Sequence, residues 1–126
     1  MSSSHPPSEA LLLFAHGSSD PAWARPFEAL RDRVAAREPG RAIALAYLER
    51  MHPSFDEAVD TLNAQGVTRI SVAPLFLAPG GHVREDLPRL IEAARARTGI
   101  VFDLRSVLGE SDAMLDAMAR WIAEGG

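Results

Sequence analysis

The chain has 126 residues, of which 47% are hydrophobic and 24% are charged, a composition typical of one soluble globular domain. It contains no cysteine, so disulfides, thiolate metal sites and cysteine nucleophiles are excluded, and any metal site must use nitrogen and oxygen ligands. The formal charge of −4 argues against nucleic acid as the main partner. All 13 basic residues are arginine; codon usage accounts for such a bias, but arginine also suits bidentate binding of carboxylates.

Residues 1–9 are predicted to form a flexible N-terminal tail, followed by one α/β domain over residues 10–126. The Ser- and Pro-rich start lacks the basic residues and long apolar run of a signal peptide. His5 lies in this stretch, and we expect it to have no functional role. The longest apolar stretch, 10–15, is too short to span a bilayer. We therefore expect a cytoplasmic protein without a membrane partner.

Apolar runs alternate with helical periodicity along the chain. The first run, 11–15, has no polar alternation and is typical of a strand buried on both faces. Turn formers follow, and Asp20 before Pro21 favours the start of a helix that continues to about Arg37. A second strand is predicted over residues 42–48.

The second half of the chain repeats this alternation. Ser54 is predicted to cap a helix that ends at Gly66 and whose core positions are Phe55, Ala58, Val59 and Leu62. A third strand is predicted over 70–76, in which Pro74 marks a bulge or an irregular end. After a turn at Gly80, Gly81 and His82, a third helix is predicted with Pro88 in its first turn. A fourth strand over 100–104 precedes a last helix that begins near Ser111.

Strands that alternate with helices predict a parallel sheet with helices on both faces. Right-handed crossovers leave few arrangements, and a flavodoxin-like strand order of 2-1-3-4 places the first and third strands side by side. The carboxyl ends of all four strands then share one edge. Open α/β sheets bind their ligands at this edge.

Three candidate functional residues follow predicted strands. His16, Glu49 and His82 are separated by two equal intervals of 33 residues, from 16 to 49 and from 49 to 82. Because one βα unit takes about 30 residues, each residue is interpreted as the same position in successive units. We therefore expect all three side chains to converge at the ligand-binding edge.

Two imidazoles and a carboxylate suit a divalent first-row metal with open coordination positions, and they also suit proton transfer near neutral pH. The alternative is structural, since a histidine after a strand is often a turn residue and Glu49 can pair with Arg50. His52, before Pro53, is assigned to helix entry rather than to metal binding. The sequence has no nucleophile elbow, phosphate loop, dinucleotide fingerprint or zinc-protease motif.

Several segments resemble the small form of the CbiX-type sirohydrochlorin chelatases. These are class II chelatases that insert cobalt, or in relatives iron or nickel, into a tetrapyrrole. The similar segments lie within roughly residues 10–95, namely 12–18, 47–49, Pro53 with the helix after it, 66–70, 72–83 and 86–88. The stretch 74–88, with its Pro-Leu-Phe-Leu, Gly-Gly-His-Val and Asp-Leu-Pro motifs, is the most specific of them.

The resemblance implies a flavodoxin-like half-chelatase fold and a lyase that inserts a divalent metal into sirohydrochlorin for cobalamin- or sirohaem-type biosynthesis. Co²⁺ is the foremost expected metal substrate, Ni²⁺ and Fe²⁺ are alternatives, and no organic cofactor is expected. The two family histidines correspond to His16 and His82, as catalytic residues and metal ligands. The family glutamate corresponds to Glu49, as a further catalytic residue.

The substrate-binding residues implied are Arg84, Ser18, Gly80 and Gly81. Arg84 is expected to bind carboxylates of the tetrapyrrole, and the glycines leave room for a flat macrocycle. Longer relatives look like two such units fused, so one unit implies a homodimer with the tetrapyrrole between its subunits.

Two features depart from the family pattern. Ser19 and Asp20 stand where the family often has Arg-Asp, and residues 108–112 match only loosely. Two other functions remain open, a non-catalytic metal or tetrapyrrole carrier and a flavodoxin-like interaction domain.

Overall fold

The computed structural model of the chain describes residues 6–78 and 80–125, except for the side chain of His82. That side chain, expected to bind metal, therefore lies outside the described part of the chain, as does His5. No helix within these ranges is both long enough and apolar enough to cross a membrane.

Strands and helices alternate along the described residues as the sequence predicts. The strands and α-helices are β1 (Glu9–Ala15), α1 (Arg25–Arg37), β2 (Ala42–Tyr47), α2 (Phe55–Ala64), β3 (Arg69–Pro74), α3 (Gly81–Thr98), β4 (Val101–Leu104) and α4 (Asp112–Ala123). Short 3₁₀ helices over Pro21–Ala24 and Leu108–Glu110 precede α1 and α4. Just before β1, the carbonyl oxygen of Ser8 accepts hydrogen bonds from the N–H groups of Thr68 and Arg69, at the start of β3.

The four strands form one parallel sheet in the order β2-β1-β3-β4, which confirms the predicted order. Leu13 of β1 lies opposite Leu45 of β2 and Ala73 of β3, so β1 is closely in register with both of its neighbours. Their carboxyl ends therefore meet at one edge of the sheet.

Helices cover both faces of the sheet. α2 and α3 pack on the face that carries Leu12 and Phe14, whereas α1 packs on the face that carries Leu13 and Ala15. Phe14 is completely buried and touches the rings of Phe55 and Phe76 edge to face. Replacing so large a buried side chain by alanine typically lowers the free energy of unfolding by about 3–5 kcal/mol, so Phe14 of β1 is a major contributor to the core.

The ends of α2 are defined by the residues that the sequence predicts. The hydroxyl of Ser54 accepts a hydrogen bond from the Glu57 N–H at 3.1 Å, and the Glu57 carboxylate accepts one from the Ser54 N–H at 2.7 Å. This reciprocal capping box satisfies two backbone donors at the helix start. Gly66, at φ +88°, follows the helix in the left-handed conformation that glycine adopts at low cost.

The start of α3 differs from the prediction. Gly80 is the N-cap, Gly81 is the first helical residue, and Pro88 lies well inside the helix instead of in its first turn. The proline removes one backbone donor, but apolar packing on both sides of it holds the helix together. The residues that provide this packing are Val83, Leu87, Ile91 and Ala94.

The equal spacing of the three candidate residues therefore does not mark equal positions. His16 follows directly after β1, and Glu49 comes just after β2. β3 ends at Pro74, and residues 75–80 separate it from α3, so position 82 belongs to the first turn of a helix. The interpretation of His82 as a strand-end residue is wrong, because β3 is shorter than its apolar run.

The last helix, α4, begins where predicted. Ser111 is its N-cap and accepts a hydrogen bond from the Met114 N–H. No residue of α4 is buried, and Trp121 and Ile122 are 64% and 69% exposed. The amphipathic pattern is thus present, but its apolar side is uncovered within the described chain.

Candidate functional site

The loops after β1 and β2 are tied together by their backbones. The Leu48 N–H donates to the Ala15 carbonyl at 2.9 Å, and the Glu49 N–H donates to the His16 carbonyl at 3.1 Å. These bonds join the two loops directly beyond the ends of the strands. His16 and Glu49 are consequently held side by side at the carboxyl edge of the sheet.

Gly17 fixes the distance between these two loops. Its φ of +95° is one that residues with a side chain rarely adopt. A Cβ at this position would overlap the carbonyl oxygen of Glu49. Only glycine therefore allows the backbone after His16 to approach the backbone of Glu49 this closely.

The side chains of His16 and Glu49 form an accessible pair. His16 Nε2 lies 3.8 Å from Glu49 Oε1, and the two side chains are 53% and 45% exposed. The other carboxylate oxygen of Glu49 lies 4.0 Å from Arg50 Nε. Exposed pairs of this kind add at most about 1 kcal/mol to stability, so the fold does not depend on this contact.

An aromatic side chain supports the His16 ring. The ring centroids of His16 and Phe76 are 6.3 Å apart and the rings are nearly perpendicular. Phe76 is itself buried and packs against Phe14. The imidazole is thereby placed next to the segment that leads from β3 into α3.

His82 lies on that side of the edge by its backbone position in the first turn of α3. Its metal-binding role stays a prediction, because its side chain is outside the described part of the chain. Among the side chains that the structure describes, which do not include that of His82, no group of three or more His, Asp or Glu is arranged to hold a metal ion. His16 and Glu49 nevertheless offer one nitrogen and one carboxylate, donors that divalent first-row ions accept.

Ser18 is engaged in local structure. Its hydroxyl accepts a hydrogen bond from the Asp20 N–H at 3.1 Å, and the Asp20 carboxylate in turn accepts one from the Ala22 N–H. Asp20 thus caps the 3₁₀ helix that leads into α1. Ser18 also borders a cavity of about 390 Å³ between the loops after β1 and β2.

Tyr47 borders the same cavity. Its burial, and secondarily the negative charge of Glu28, raises the pKa of the Tyr47 phenol above its usual range. The phenol therefore keeps its proton at neutral pH and can donate a hydrogen bond into the cavity.

His52 takes part in the start of α2, as the sequence predicts. Its Nδ1 lies 2.7 Å from Glu57 Oε1, the oxygen that also accepts the Ser54 N–H. The hydrogen bond from His52, followed by that from Ser54, lowers the pKa of the Glu57 carboxyl.

The predicted substrate-binding residues of α3 differ in their surroundings. A Cβ at Gly80 or Gly81 would meet nothing within 4 Å among the residues that the structure describes, so packing against those residues does not require glycine at either position. Arg84, by contrast, has a partner: its Nη2 lies 3.1 Å from Glu110 Oε2. The sequence gives no indication of this ion pair, because Glu110 comes from the segment after β4.

A second cavity, of about 230 Å³, lies at the carboxyl ends of β3 and β4. Phe76 and Leu87 are among its apolar walls, and Arg84 and Arg105 also line it. Arg105 is absent from the predicted site. The segment that follows Arg105 approaches the chain just after β3 closely, because a Cβ at Gly109 would overlap the carbonyl oxygen of Leu77.

Comparison with known proteins identifies relatives of this chain. A family model described as CbiX matches residues 10–125. The sirohydrochlorin cobaltochelatase of Methanothermobacter thermautotrophicus is 33% identical over 89 residues, which cover 71% of this chain and 62% of that protein. The enzyme of the same name from Methanocaldococcus jannaschii is 36% identical over 83 residues, covering 66% of this chain and 58% of the relative. The chain thus spans less than two thirds of the length of these relatives.

Solved structures show the same fold. A protein from Marinobacter aquaeolei VT8, described as a cobalamin (vitamin B12) biosynthesis CbiX protein, is 35% identical with a TM-score of 0.82, covering 93% of this chain and 96% of that one. The sirohydrochlorin chelatase SirB of Bacillus subtilis subspecies spizizenii, solved in complex with cobalt, is 22% identical with a TM-score of 0.78. The match covers 93% of this chain but only 50% of the SirB chain, and it is evidence of fold alone.

Proposed function

The chain belongs to the CbiX family, and on that premise we propose that it is a chelatase that inserts a divalent metal ion into sirohydrochlorin. The single observation that carries this proposal is the accessible His16–Glu49 pair at the carboxyl edge of the sheet. Relatives named sirohydrochlorin cobaltochelatase support Co²⁺ as the metal substrate. An Arabidopsis thaliana relative, 35% identical over 74 residues that cover 58% of this chain, is named a chloroplastic sirohydrochlorin ferrochelatase, which supports Fe²⁺ as an alternative.

Insertion requires that the macrocycle lose two pyrrole protons and that the hydrated cation lose water. His16 Nε2 is proposed to bind the incoming metal or to accept a pyrrole proton. Positive charge that arrives at Nε2 lies close to the Glu49 carboxylate, which stabilises it. His82, from the first turn of α3, is proposed as the second imidazole. Nitrogen and oxygen ligands exchange readily, whereas a closed cage of four thiolates retains its metal.

The macrocycle is proposed to lie across the open space next to Gly80 and Gly81. Side chains there would occupy volume that packing within the chain leaves free. Ser18 is proposed to contribute a polar contact from the loop after β1. Arg84 is proposed to bind a substrate carboxylate only when its pairing with Glu110 is broken.

A homodimer is the proposed assembly. Soluble monomers rarely expose large contiguous apolar surfaces, yet α4 leaves its apolar side uncovered. The sheet face that carries α1 is also incompletely covered, since Val101 of β4 is 49% exposed. The fold match to half of the longer SirB chain supports an arrangement in which a second copy supplies the other half. Light scattering on the parent and on Trp121→Asp tests this, and we expect a dimer that the aspartate disrupts.

The experiment that tests the proposed function is metal insertion by the purified protein. Absorbance spectra follow sirohydrochlorin with Co²⁺, Fe²⁺ or Ni²⁺, each with and without protein. We expect faster insertion than in the free reaction, with Co²⁺ the fastest metal. A non-catalytic carrier would bind the tetrapyrrole or the metal without accelerating the spectral change. An interaction domain would bind neither. The cytoplasmic location stays a prediction.

A further inference from the structure

The cavity between β3, β4 and α3 is lined by Arg105, an arginine that the proposed mechanism does not use. We infer that it binds one carboxylate-bearing peripheral chain of the tetrapyrrole, with the carboxylate on Arg105 and the methylene carbons against the apolar walls. This inference rests on the proposed function and identifies a further substrate contact. The cavity has a volume of about 230 Å³, which is below the roughly 300–1,000 Å³ of pockets that hold whole small molecules. It therefore suits a peripheral chain of the tetrapyrrole rather than the macrocycle.

The two arginines of the cavity differ in availability. Arg84 is paired with Glu110 at 3.1 Å, and an incoming carboxylate would have to displace that partner. Arg105 has no carboxylate partner within the part of the chain that the structure describes, and it is exposed to solvent. A free guanidinium beside an apolar wall can bind a carboxylate bidentately. Arg105 is therefore the better anion site of the two.

The cavity wall that carries Arg105 is held in place by backbone contacts. The Arg105 N–H donates to the Val72 carbonyl at 3.0 Å, and the Gly109 N–H donates to the Phe76 carbonyl at 3.0 Å. The close approach of Gly109 to the Leu77 carbonyl tolerates no side chain. Because both ends of this segment are fixed to β3 and the residues after it, the cavity is preformed, which reduces the entropy cost of binding.

The cavity is also next to the proposed reaction centre. Phe76 lines the cavity, and its ring contacts the His16 ring at a centroid distance of 6.3 Å. One aromatic side chain thus separates the cavity from the His16–Glu49 pair. Sirohydrochlorin carries its carboxylates on short chains around the macrocycle, so a macrocycle over His16 can extend one such chain past Phe76.

Binding of metal-free sirohydrochlorin, measured by absorbance titration, tests this inference together with KM and kcat for cobalt insertion. Arg105→Ala is expected to raise Kd and KM about tenfold, the loss typical of one hydrogen-bonded charge, with kcat little changed. Arg105→Lys is expected to recover part of the loss. Arg33→Ala, which removes an exposed arginine on the opposite face of the sheet, is the matched control and should match the parent.

Glu110→Gln is expected to strengthen sirohydrochlorin binding, whereas Arg105→Ala weakens it. It removes a negative charge next to the cavity and frees Arg84, so Kd for sirohydrochlorin is expected to fall severalfold. If Arg105→Ala, shown to be folded by its thermal melt, binds sirohydrochlorin as Arg33→Ala does, the inference is wrong while the proposed function stands. If the parent neither binds nor metallates sirohydrochlorin, the proposed function fails and this inference fails with it.

Discussion

The carboxyl edge of the sheet has two halves that are built differently. The loops after β1 and β2 are joined by backbone hydrogen bonds and place His16 beside Glu49. The segments after β3 and β4 enclose a cavity that is lined by two arginines instead of a histidine–carboxylate pair. The first half therefore suits reaction chemistry at one point, and the second suits recognition of an extended anionic substrate.

Gly17→Ala should produce the largest effect on the first half. The left-handed backbone conformation alone costs about 1–3 kcal/mol for a residue with a side chain, and overlap with the Glu49 carbonyl adds to that cost. We expect lower stability in urea denaturation and loss of metal insertion. Gly40→Ala is the matched control, since a Cβ there meets nothing within 4 Å. If the two variants are equally stable, the close approach of the loops after β1 and β2 does not require glycine at position 17.

Glu49→Gln should reduce metal insertion by about 10- to 100-fold, the usual effect of removing a carboxylate that supports a metal-binding histidine. The amide keeps the size of the side chain but removes the charge next to His16 Nε2. Glu38→Gln, at the opposite edge of the sheet, makes the same charge change as a control. If Glu49→Gln inserts cobalt at the parent rate, the Glu49 charge has no role in the reaction.

Gly81→Ala, in the second half of the edge, should weaken substrate binding without loss of stability. Its Cβ points into open space, and alanine in a helix is favoured over glycine by roughly 0.5–1 kcal/mol, so thermal stability should be unchanged or higher. The added methyl group occupies space proposed for the macrocycle, and KM for sirohydrochlorin should rise severalfold. An unchanged KM would contradict the position proposed for the macrocycle.

The smallest expected effect concerns the entry into α2. The hydrogen bonds from His52 and Ser54 lower the pKa of the Glu57 carboxyl. The ionised carboxylate therefore contributes stability above the ordinary Glu pKa, and this contribution is lost as pH falls through the lowered value. Melting temperatures of the parent and Glu57→Gln should differ at neutral pH and converge in acid. If the difference in melting temperature stays constant with pH, ionisation of Glu57 does not contribute to stability.

The sequence predicts the first half of the edge well, for a physical reason. The unbroken apolar run before His16 and the turn formers after it are short-range signals that determine where β1 ends. Parallel register then brings Glu49 next to His16, as the distance of 3.8 Å confirms. The roles assigned to these two side chains remain predictions.

The second half depends on contacts that are distant in sequence. The partner of Arg84 is Glu110, 26 residues further along the chain, and no local pattern connects them. α3 starts earlier than the sequence predicts, because apolar packing of Val83 and Leu87 outweighs the helix-breaking tendency of Gly81 and Pro88. Tertiary packing of this kind overrides local propensity.

The helices α2 and α4 also show that a local sequence pattern does not predict tertiary contacts. Both have a regular apolar stripe, but Phe55 and Val59 of α2 are buried, whereas Trp121 and Ile122 of α4 are exposed. Periodicity predicts which side of a helix is apolar. It does not predict what covers that side, which for α4 is proposed to be a second copy of the chain.

The central claim is that His16 in the first half of the edge, together with His82 from the first turn of α3, performs metal insertion. It is tested most directly by the rate of Co²⁺ insertion into sirohydrochlorin for the parent, His16→Ala and His82→Ala, with His5→Ala as a histidine control. The parent and His5→Ala should accelerate insertion, while both other variants remain folded and fall to the free-reaction rate. Parent-like insertion by His16→Ala would contradict the account.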